Sequence, residues 1–386
     1  MNNSPGLAVE QFSPGMEVET RLSLSTSKKR RGDVPIRSGG GCCSCHGVSM
    51  TNTAERGLRT SWTRLLGRTS ASIVVLLCVV SLLARPLGVS GWPVLAQIIS
   101  LKVIAGLVCA TLAALVAVVA VTRGRLRSPV VLTICAALLF TGAIHAGTVL
   151  ARGGKSEPVA DPDITVVQFN TFDTATTPQQ LADLVRTADA DIVTLPEADQ
   201  QTTEAAAELL AAGGLIFQVF SMSTPEPYPL PVSAMVRRSM GDYRQAPGPL
   251  LSYGSLKLEP VSESGSAPTI IAVHPVNPGL TSTLTGWRSE TSTAARLCTP
   301  GSNTIVAGDF NATVDHPAFA LLPCADAATQ AGAGGSGTWP SWLPSFLAAP
   351  IDHVILDPQS FSAVATWTVR ASASDHRALV VQLRSV

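Results

Sequence analysis

Charged residues are scarce in this 386-residue chain, where they make up 14% of the sequence against 46% hydrophobic residues. The mean hydropathy of +0.30 is too high for an ordinary soluble enzyme and suggests segments that cross a membrane. The chain also exceeds one average domain, so at least two structural regions are expected. It lacks the short apolar core and small-residue cleavage site of a signal peptide, so we expect the N-terminal segment to be retained.

The chain has no net charge, but its charges are unevenly divided. Residues 1–160 hold 17 Lys and Arg against 6 Asp and Glu, whereas residues 161–386 hold 10 against 21. The basic residues of the first part flank apolar segments, which argues against a nucleic-acid-binding arm. The acidic second part repels phosphate polymers unless metal ions intervene, so no strong nucleic-acid binding is expected.

The N-terminal part combines a polar tail with three apolar runs. Residues 1–60 are rich in Ser, Gly and charge without periodicity, which predicts a disordered cytoplasmic tail. A bilayer core requires about 20 apolar residues per helix. We therefore predict that residues 61–152 form a transmembrane region of three helices, at about 68–90, 102–122 and 129–151. The first helix is the weakest of the three, because Arg85–Pro86 interrupts its apolar run.

The basic residues flanking these runs predict an orientation. They cluster before the first run and again at Arg123, Arg125 and Arg127 between the second and third runs. Positive residues favour the cytoplasmic side, so the tail and the 123–127 loop are expected inside. With three spans the chain is a multi-pass protein of the cell membrane whose C-terminal domain is extracytoplasmic. With only two spans that domain would be cytoplasmic.

After a linker at residues 153–162, short apolar strands alternate with helical patterns over residues 163–386. Thr177–Pro178 is typical of an N-cap followed by a proline at the first helical position, and further helices are predicted after Thr202 and near 286–297. Strands are predicted at 164–169, 191–195, 214–220, 232–237, 269–274, 304–308, 351–356, 361–369 and 378–384. This pattern predicts an α/β sandwich.

Polar residues stand where these strands begin or end. They are Asn170, Glu197, His274, Asp309, Asn311, Asp352, Asp375 and His376. Strand ends on one edge of a sheet converge in space and form a shared cleft. Each residue alone also has a structural reading, because Asn is a common turn former and Asp–His pairs often stabilise loops. The ordered series is the stronger signal.

The chemistry of this set favours a hard metal ion. It contains several carboxylates, two side-chain amides and histidines, with no paired cysteines among them. Carboxylate oxygens suit Mg²⁺ or Mn²⁺, which commonly keep waters and bind phosphate oxygens. A histidine backed by an aspartate has a fixed tautomer and can transfer protons or stabilise a phosphoryl oxygen. Mg²⁺ or Mn²⁺ is therefore the predicted cofactor.

The segments "QFN", "TLPEAD", "AVHP", "GDFNA", "IDHVIL" and "SDHRALVV" resemble, in this order, the motifs of the endonuclease/exonuclease/phosphatase superfamily. The resemblance covers about residues 163–386. It implies a four-layer sandwich of two β-sheets flanked by helices, here preceded by the three transmembrane helices. It also implies cleavage of phosphoester bonds with a divalent metal.

The resemblance further implies roles for the polar residues. Glu197 would be the main metal ligand, Asn170 would help to hold it and the metal's waters, and Asp375 would lie near the metal. Pro196 stands where many relatives have glutamine. The carboxylate of Glu197 is kept, so we expect the departure to alter the geometry around Glu197 rather than to remove the activity.

The same resemblance implies the groups that act on the phosphate. Asp309 would position or deprotonate the attacking water, with Asn311 beside it on the phosphate. His376 would contact the scissile phosphate, oriented by Asp352. His274 would help to neutralise the transition state. Whether Asp309 or His376 acts as the base stays open.

Three spans in front of such a domain are similar to the membrane-anchored, VanJ-like branch of the superfamily. This similarity implies a phosphate-ester substrate near the outer leaflet, such as a membrane lipid phosphate or pyrophosphate. A membrane-anchored nuclease and a non-catalytic scaffold that keeps the fold are the alternatives. The acidic balance of residues 161–386 counts against the nuclease, and retention of the motif residues counts against the scaffold.

Two further features allow alternatives. Cys298 and Cys324 bracket the "GDFN" strand and either form a disulfide in an oxidising compartment or stay as free thiols. Trp339, Trp342 and Phe346 either line the rim of the cleft or contact lipid, or else they pack on their own domain.

Overall fold

The computed structural model describes residues 51–223, 230–262, 266–280 and 282–386. The predicted tail lies outside the described residues up to residue 50. Its last ten residues instead begin the first helix, α1 (Thr51–Leu82). From Leu58 to Val386 the chain forms one compact unit.

Three helices in the N-terminal part are long and apolar enough to cross a membrane. They are Trp62–Leu82 within α1, α3 (Lys102–Thr122) and α4 (Pro129–Leu150), and a short helix, α2 (Leu95–Ser100), lies between the first two. The first helix ends at Leu82 rather than near residue 90. Pro86 explains this difference, because it has no N–H to donate and disfavours a helical conformation at Arg85.

Helices α3 and α4 pack against each other through glycines. A Cβ atom on Gly106 would lie 2.8 Å from the carbonyl oxygen of Gly142. Small residues at such a crossing let two helix backbones approach closely, which is a common way for apolar helices to associate. The two predicted spans therefore form a tight pair.

The C-terminal domain (residues 163–386) contains the remaining helices and all twelve strands of the described residues. In chain order these are β1 (Ile164–Gln168), α5 (Pro178–Ala188), β2 (Ile192–Pro196), α6 (Gln200–Ala211), β3 (Phe217–Ser223), β4 (Pro231–Arg237), β5 (Tyr243–Ala246), β6 (Ser255–Pro260), β7 (Thr269–Val273), α7 (Leu284–Ala295), β8 (Thr304–Asp309), β9 (Ala325–Asp326), α8 (Ala327–Gln330), β10 (Asp352–Leu356), β11 (Phe361–Val369) and β12 (Ala378–Ser385). All nine predicted strands are confirmed, whereas β5, β6 and β9 were not predicted.

The strands form two six-stranded mixed sheets. The first has the order β11-β12-β1-β2-β4-β3 and the second has the order β5-β6-β7-β8-β10-β9. Within them β1 and β2 are parallel, as are β7 and β8, and the other neighbours are antiparallel. One parallel pair at the centre of each sheet places successive strand ends at the same edge, which is where the site residues lie.

Helices cover the outer faces of the two sheets, as the four-layer prediction requires. Apolar side chains from both sheets form one buried cluster between them, including Val166 and Ile305. Helices α5 and α6 bury Leu181 and Leu210 against the first sheet, and α7 buries Trp287 against the second. Helix α5 begins as predicted: Thr177 and Gln180 form a reciprocal capping box, with Pro178 at the first helical position. The predicted four-layer fold is confirmed.

Cys298 and Cys324 form a disulfide. The bond joins the segment after α7 to the start of β9 and spans the "GDFN" strand, β8. Of the two readings left open by the sequence, the structure has the bridge.

Reducing this disulfide is expected to lower the free energy of unfolding by about 3 kcal/mol, because it closes a loop over a sequence separation of 26 residues. Thermal unfolding of the full chain in detergent, with and without reductant, measures the effect. A Cys298→Ser/Cys324→Ser variant should show the lower stability under both conditions. A Cys109→Ala variant, which removes a free cysteine, should keep the dependence on reductant. Equal stability of the unmodified chain with and without reductant would contradict the prediction.

Candidate active site

The two sheets bring the predicted site residues to one edge of the sandwich. Because β1 and β2 are parallel neighbours, Asn170 and Glu197 lie side by side after them, and His376 precedes the adjacent antiparallel β12. In the second sheet, Asp309 on β8 pairs in register with Asp352 on β10. His274 follows β7, which is parallel to β8.

These residues meet at one cavity of about 450 Å³, called here the central cavity. Seven of the eight predicted residues line it, namely Asn170, Glu197, His274, Asp309, Asn311, Asp375 and His376. Asp352 lies behind His376, with its side chain fully buried. The sequence prediction that these scattered residues share a cleft is thus matched by their positions.

Asn170 connects the carboxylates of the two sheets. Its Nδ2 donates to Glu197 Oε1 at 3.0 Å and to Asp309 Oδ2 at 3.1 Å. Its Oδ1 accepts from the backbone N–H of Phe172 at 3.0 Å. The side-chain oxygen is therefore engaged, and the geometry suits holding Glu197 in place better than direct contact with a metal.

Two of the site residues have a left-handed backbone conformation, which is strained at one of them. Glu197 has a φ of 63° and Asn311 a φ of 49°, in the left-handed region that non-glycine residues seldom adopt. Asn311 tolerates this conformation well, whereas Glu197 does not. The Glu197 N–H donates to the carbonyl oxygen of Pro231 at 2.8 Å, which ties this residue to the start of β4. Strain of this kind is often found at functional sites.

His376 and Asp352 form a buried pair. His376 Nδ1 lies 2.8 Å from Asp352 Oδ2, and Asp352 Oδ1 accepts from Gln168 Nε2 at 3.1 Å. Burial opposes a charge on His376, but Asp352 and then Asp309 outweigh it and raise the pKa of His376 to about 10. His376 is therefore an imidazolium near neutral pH, and its Nε2 lies 3.5 Å from Asp309 Oδ2.

Burial shifts the pKa values of Asp309 and His274 so that the neutral form of each group is favoured. Burial raises the pKa of Asp309 to about 7, although His376 partly offsets this. Burial, helped by the charge of His376, lowers the pKa of His274 to about 3. His274 is thus neutral, with its Nε2 3.6 Å from Asp309 Oδ2 and 3.8 Å from Glu197 Oε1. A half-ionised acid beside two histidines in different states is suited to proton transfer.

The oxygen ligands at the central cavity fit a hard divalent cation. Asp375 Oδ1 is buried and has no hydrogen-bond partner, while its Oδ2 accepts from Trp339 Nε1 at 2.9 Å. Burial, together with repulsion from Asp375 and Asp173, raises the pKa of Glu197 despite its bond to Asn170. A cation would give Asp375 Oδ1 a partner and reduce the repulsion between Glu197 and the neighbouring acids.

A second group of ligand atoms lies deeper. One ligand atom each from Asp309, Asp352 and His376 falls within 4.8 Å of the others, so these residues could also hold a metal ion. All three are buried, and His376 Nδ1 is already bonded to Asp352. Asp352 and His376 are better suited to keeping the imidazolium charged than to binding a metal. Glu197 and Asp375 are the more available oxygen ligands.

One wall of the central cavity comes from outside the C-terminal domain, which the sequence did not predict. Gln97, Ser100 and Leu101, in and after α2, line the cavity. Gln97 Nε2 donates to the carbonyl oxygen of Pro278 at 2.6 Å, and Ala96 is buried in the same apolar cluster as Trp287. No local pattern could have identified this contact, because it joins residues 181 positions apart.

Aromatic residues complete the cavity. Tyr253 packs its ring edge-on to His274 at 5.0 Å, and Trp339 lines the cavity while bonding Asp375. Trp339 therefore belongs to the cleft, which is the first of the three alternatives that the sequence allowed. Trp342 and Phe346 do not line the cavity and are 69% and 51% exposed.

The sequence profile of the Endonuclease/Exonuclease/phosphatase family matches residues 167–376, more than half of the chain. The human Nocturnin catalytic domain with bound sulfate is 17% identical, with a TM-score of 0.43, over 61% of this chain and 98% of that one. An endonuclease/exonuclease/phosphatase from Beutenbergia cavernae is 20% identical, with a TM-score of 0.42, over 57% and 71%.

TDP2 of D. rerio, complexed with a single-strand DNA product, is 14% identical, with a TM-score of 0.42, over 57% of this chain and 98% of that one. No curated protein matches the chain. The family profile spans the site from β1 to His376, the last of the motif residues. The chain therefore belongs to the Endonuclease/Exonuclease/phosphatase family, whose members hydrolyse phosphate esters.

Proposed function

We propose that this chain is a membrane-anchored, divalent-metal-dependent phosphoesterase that hydrolyses a lipid-linked phosphate or pyrophosphate. The observation that carries the proposal is the wall formed by α2. Leu101 lines the central cavity and Lys102 begins the apolar helix α3. The central cavity is therefore lined both by the motif residues that would bind phosphate and by the residue next to an apolar helix. This combination suits a substrate with a phosphate head and an apolar tail.

The lining of the central cavity supports an amphiphilic substrate. Leu101, Ile351 and Phe172 stand on its walls together with the acids and histidines, and Phe172 is 50% exposed. Burial of an apolar tail against such side chains contributes about 25 cal/mol per Å² of area removed from water. The three apolar helices ahead of the domain are consistent with the membrane-anchored, VanJ-like branch of the family.

Two observations support an extracytoplasmic placement of the domain. The disulfide between Cys298 and Cys324 is typical of oxidising compartments outside the cytoplasm. With three spans, the basic loop at Arg123, Arg125 and Arg127 lies on the opposite side of the bilayer, which agrees with the preference of positive residues for the cytoplasmic face.

The residues of the site divide the chemistry between them. Glu197 and Asp375 would hold Mg²⁺ or Mn²⁺, with Asn170 fixing the Glu197 carboxylate. The bound ion would stabilise negative charge developing on the phosphoryl oxygens. Asp309, with a pKa of about 7, is the better general base, because His376 keeps its proton at that pH.

The remaining groups act on the phosphate. The imidazolium of His376, oriented by Asp352, donates from Nε2 toward a phosphoryl oxygen. Neutral His274 adds a second nitrogen on the same side, and Asn311 stands beside Asp309 at the cavity wall. Preorganised donors of this kind stabilise the transition state without the cost of reorganising water.

A substrate panel tests this function. The full chain in lipid nanodiscs would be offered a phospholipid, a prenyl pyrophosphate, a sugar phosphate and DNA, with Mg²⁺, with Mn²⁺ and with a chelator. We expect turnover of a lipid phosphate that stops on chelation. Turnover of DNA alone would support the nuclease, and no turnover together with no bound metal would support the scaffold.

A substitution in α2 tests the wall itself. Gln97 Oε1 is buried without a hydrogen-bond partner, so it is free to accept from a hydroxyl or N–H group of the substrate headgroup. Gln97→Ala is expected to raise KM for the lipid substrate about fivefold, since one hydrogen bond contributes about 1 kcal/mol, and to leave a small soluble phosphodiester unaffected. Gln179→Ala, at an exposed position on α5, is the matched control. An equal loss on both substrates would argue against a headgroup contact.

A further inference from the structure

A buried acid gathers three cations at the junction of the apolar helices and the C-terminal domain. Asp315, whose side chain is 6% exposed, accepts two hydrogen bonds from Arg152, at 2.8 and 2.6 Å. Lys102 Nζ lies 2.8 Å from it, and Arg85 Nη1 lies 4.0 Å away. Asp315 stands four residues after Asn311, so this cluster is attached directly to a loop of the active site.

The cluster carries more positive than negative charge. Burial opposes ionisation of Asp315, but Arg152 and Lys102 hold its pKa well below the usual range, so it carries one negative charge. A second acid, Asp326, also attracts Arg152, but it already bonds His353 Nδ1 at 2.8 Å. Within 4.0 Å the three cations share one carboxylate, that of Asp315. The side chains of Lys102 and Arg152 are only 12% and 21% exposed, so water compensates their excess charge poorly.

A cavity of about 330 Å³ lies beside this excess charge. Arg85 and Arg152 line it together with Asp326, Thr329 and Gln330 and with the apolar Phe319 and Leu322. Both oxygens of Asp326 are already bonded within the domain, Oδ1 to Thr329 and Oδ2 to His353. Arg85 is 45% exposed, and 4.0 Å from Asp315 is too long for a hydrogen bond, so its guanidinium has donors to spare. The planar fork of a guanidinium matches the oxygens of a phosphate group.

The three cations also stand at one level of the helix bundle. Arg85 follows the end of the first apolar helix at Leu82, Lys102 begins the second, and Arg152 follows the end of the third at Leu150. In a bilayer this is the depth of the lipid headgroups. Leu83 and Leu87, which flank Arg85, are 44% and 56% exposed and can contact acyl chains.

We infer that Arg85 and Arg152, beside the Asp315 cluster, form a second binding site that takes a phosphate-bearing anion, separate from the central cavity. The chemistry is that of a phosphodiester or phosphate oxygen, supplied by an anionic phospholipid headgroup or by soluble phosphate. The inference rests on the placement of the three apolar helices in a membrane and not on catalysis.

Binding to the full chain in detergent tests this site. Phosphatidylglycerol, phosphatidylcholine and inorganic phosphate would each be titrated, with the melting temperature and the lipid retained in native mass spectrometry as readouts. We expect phosphatidylglycerol to raise the melting temperature and to be retained, and phosphatidylcholine to do so much less. Arg85→Gln should weaken the apparent affinity about tenfold, which corresponds to about 1.4 kcal/mol.

The control is Arg125→Gln, which removes an exposed arginine from the loop between α3 and α4. The melting temperature of each variant without ligand shows that it is folded. If inorganic phosphate reproduces the shift and Arg85→Gln abolishes it, the site is supported with soluble phosphate as the source. If no phosphate-bearing ligand shifts the chain, or if the two variants lose affinity equally, the inference is overturned. None of these readouts depends on turnover.

Discussion

Glu197→Gln is expected to reduce turnover of the phosphoester substrate about a thousandfold. The substitution keeps the size of the side chain and an oxygen that can accept from Asn170 Nδ2, so the fold should survive. It removes the negative charge that would hold the cation, and a bound metal contributes several kcal/mol of transition-state stabilisation. Initial rates at increasing Mg²⁺ and the affinity for Mn²⁺ measure the two effects separately.

The matched control for this substitution is Glu204→Gln. Glu204 lies seven residues further on, on the exposed face of α6, and accepts a hydrogen bond from Gln200. Its removal changes the net charge equally but should leave the rate and the metal affinity unaltered. Glu197 would not be the metal-binding carboxylate if its own variant kept both the rate and the Mn²⁺ affinity of the unmodified chain.

Asp352→Asn is expected to lower kcat about a thousandfold or more, with little change in fold. An amide at this position cannot stabilise a positive charge on His376, and it can bond the wrong tautomer of the ring; a comparable substitution in serine proteases costs about ten-thousandfold. The pKa of His376 should fall from about 10, because Asp352 is the largest influence that raises it. Titration of the ring by NMR, alongside kcat, measures both.

The domain contains a second Asp–His pair that serves as a control. Asp326 Oδ2 lies 2.8 Å from His353 Nδ1, the same distance as in the pair of Asp352 and His376, but His353 Nε2 bonds the carbonyl oxygen of Ala312 and does not line the central cavity. Asp326→Asn should lower stability while kcat per folded molecule stays unchanged. Equal losses of kcat in the two variants would mean that Asp352 acts only through stability.

The ends of the central strands could be predicted from the sequence because a buried strand is a continuous apolar run that stops at a polar residue. "ITVVQF" and "TIVAG" are continuous apolar runs followed at once by a polar residue, which is typical of central strands. Strand β5, "YRQA", lies at the edge of its sheet with two exposed side chains and carries no such run. Strand β9 has only two residues. Strand β5 is held by pairing with the next strand, β6, and β9 by pairing with β10, rather than by their own composition.

The wall of the central cavity could not be predicted in this way. Gln97 and Ser100 lie in a short helix between two apolar runs, and nothing in "LAQIIS" indicates a contact with a loop 181 residues away. The same holds for Asp315 and His316, which complete the "GDFNATVDH" stretch. His316 Nε2 contacts the carbonyl oxygen of Ala96 at 3.0 Å, and Asp315 binds the ends of the apolar helices. Their role follows from tertiary packing alone.

Locating Mn²⁺ by anomalous scattering in crystals of the full chain tests the metal site most directly. We predict a single strong peak in the central cavity, within coordination distance of Glu197 and Asp375, that is lost in Glu197→Gln. A peak at Asp309, Asp352 and His376 instead, or no peak in the cavity at all, would contradict the assignment of these residues and the metal-dependent reaction built on it.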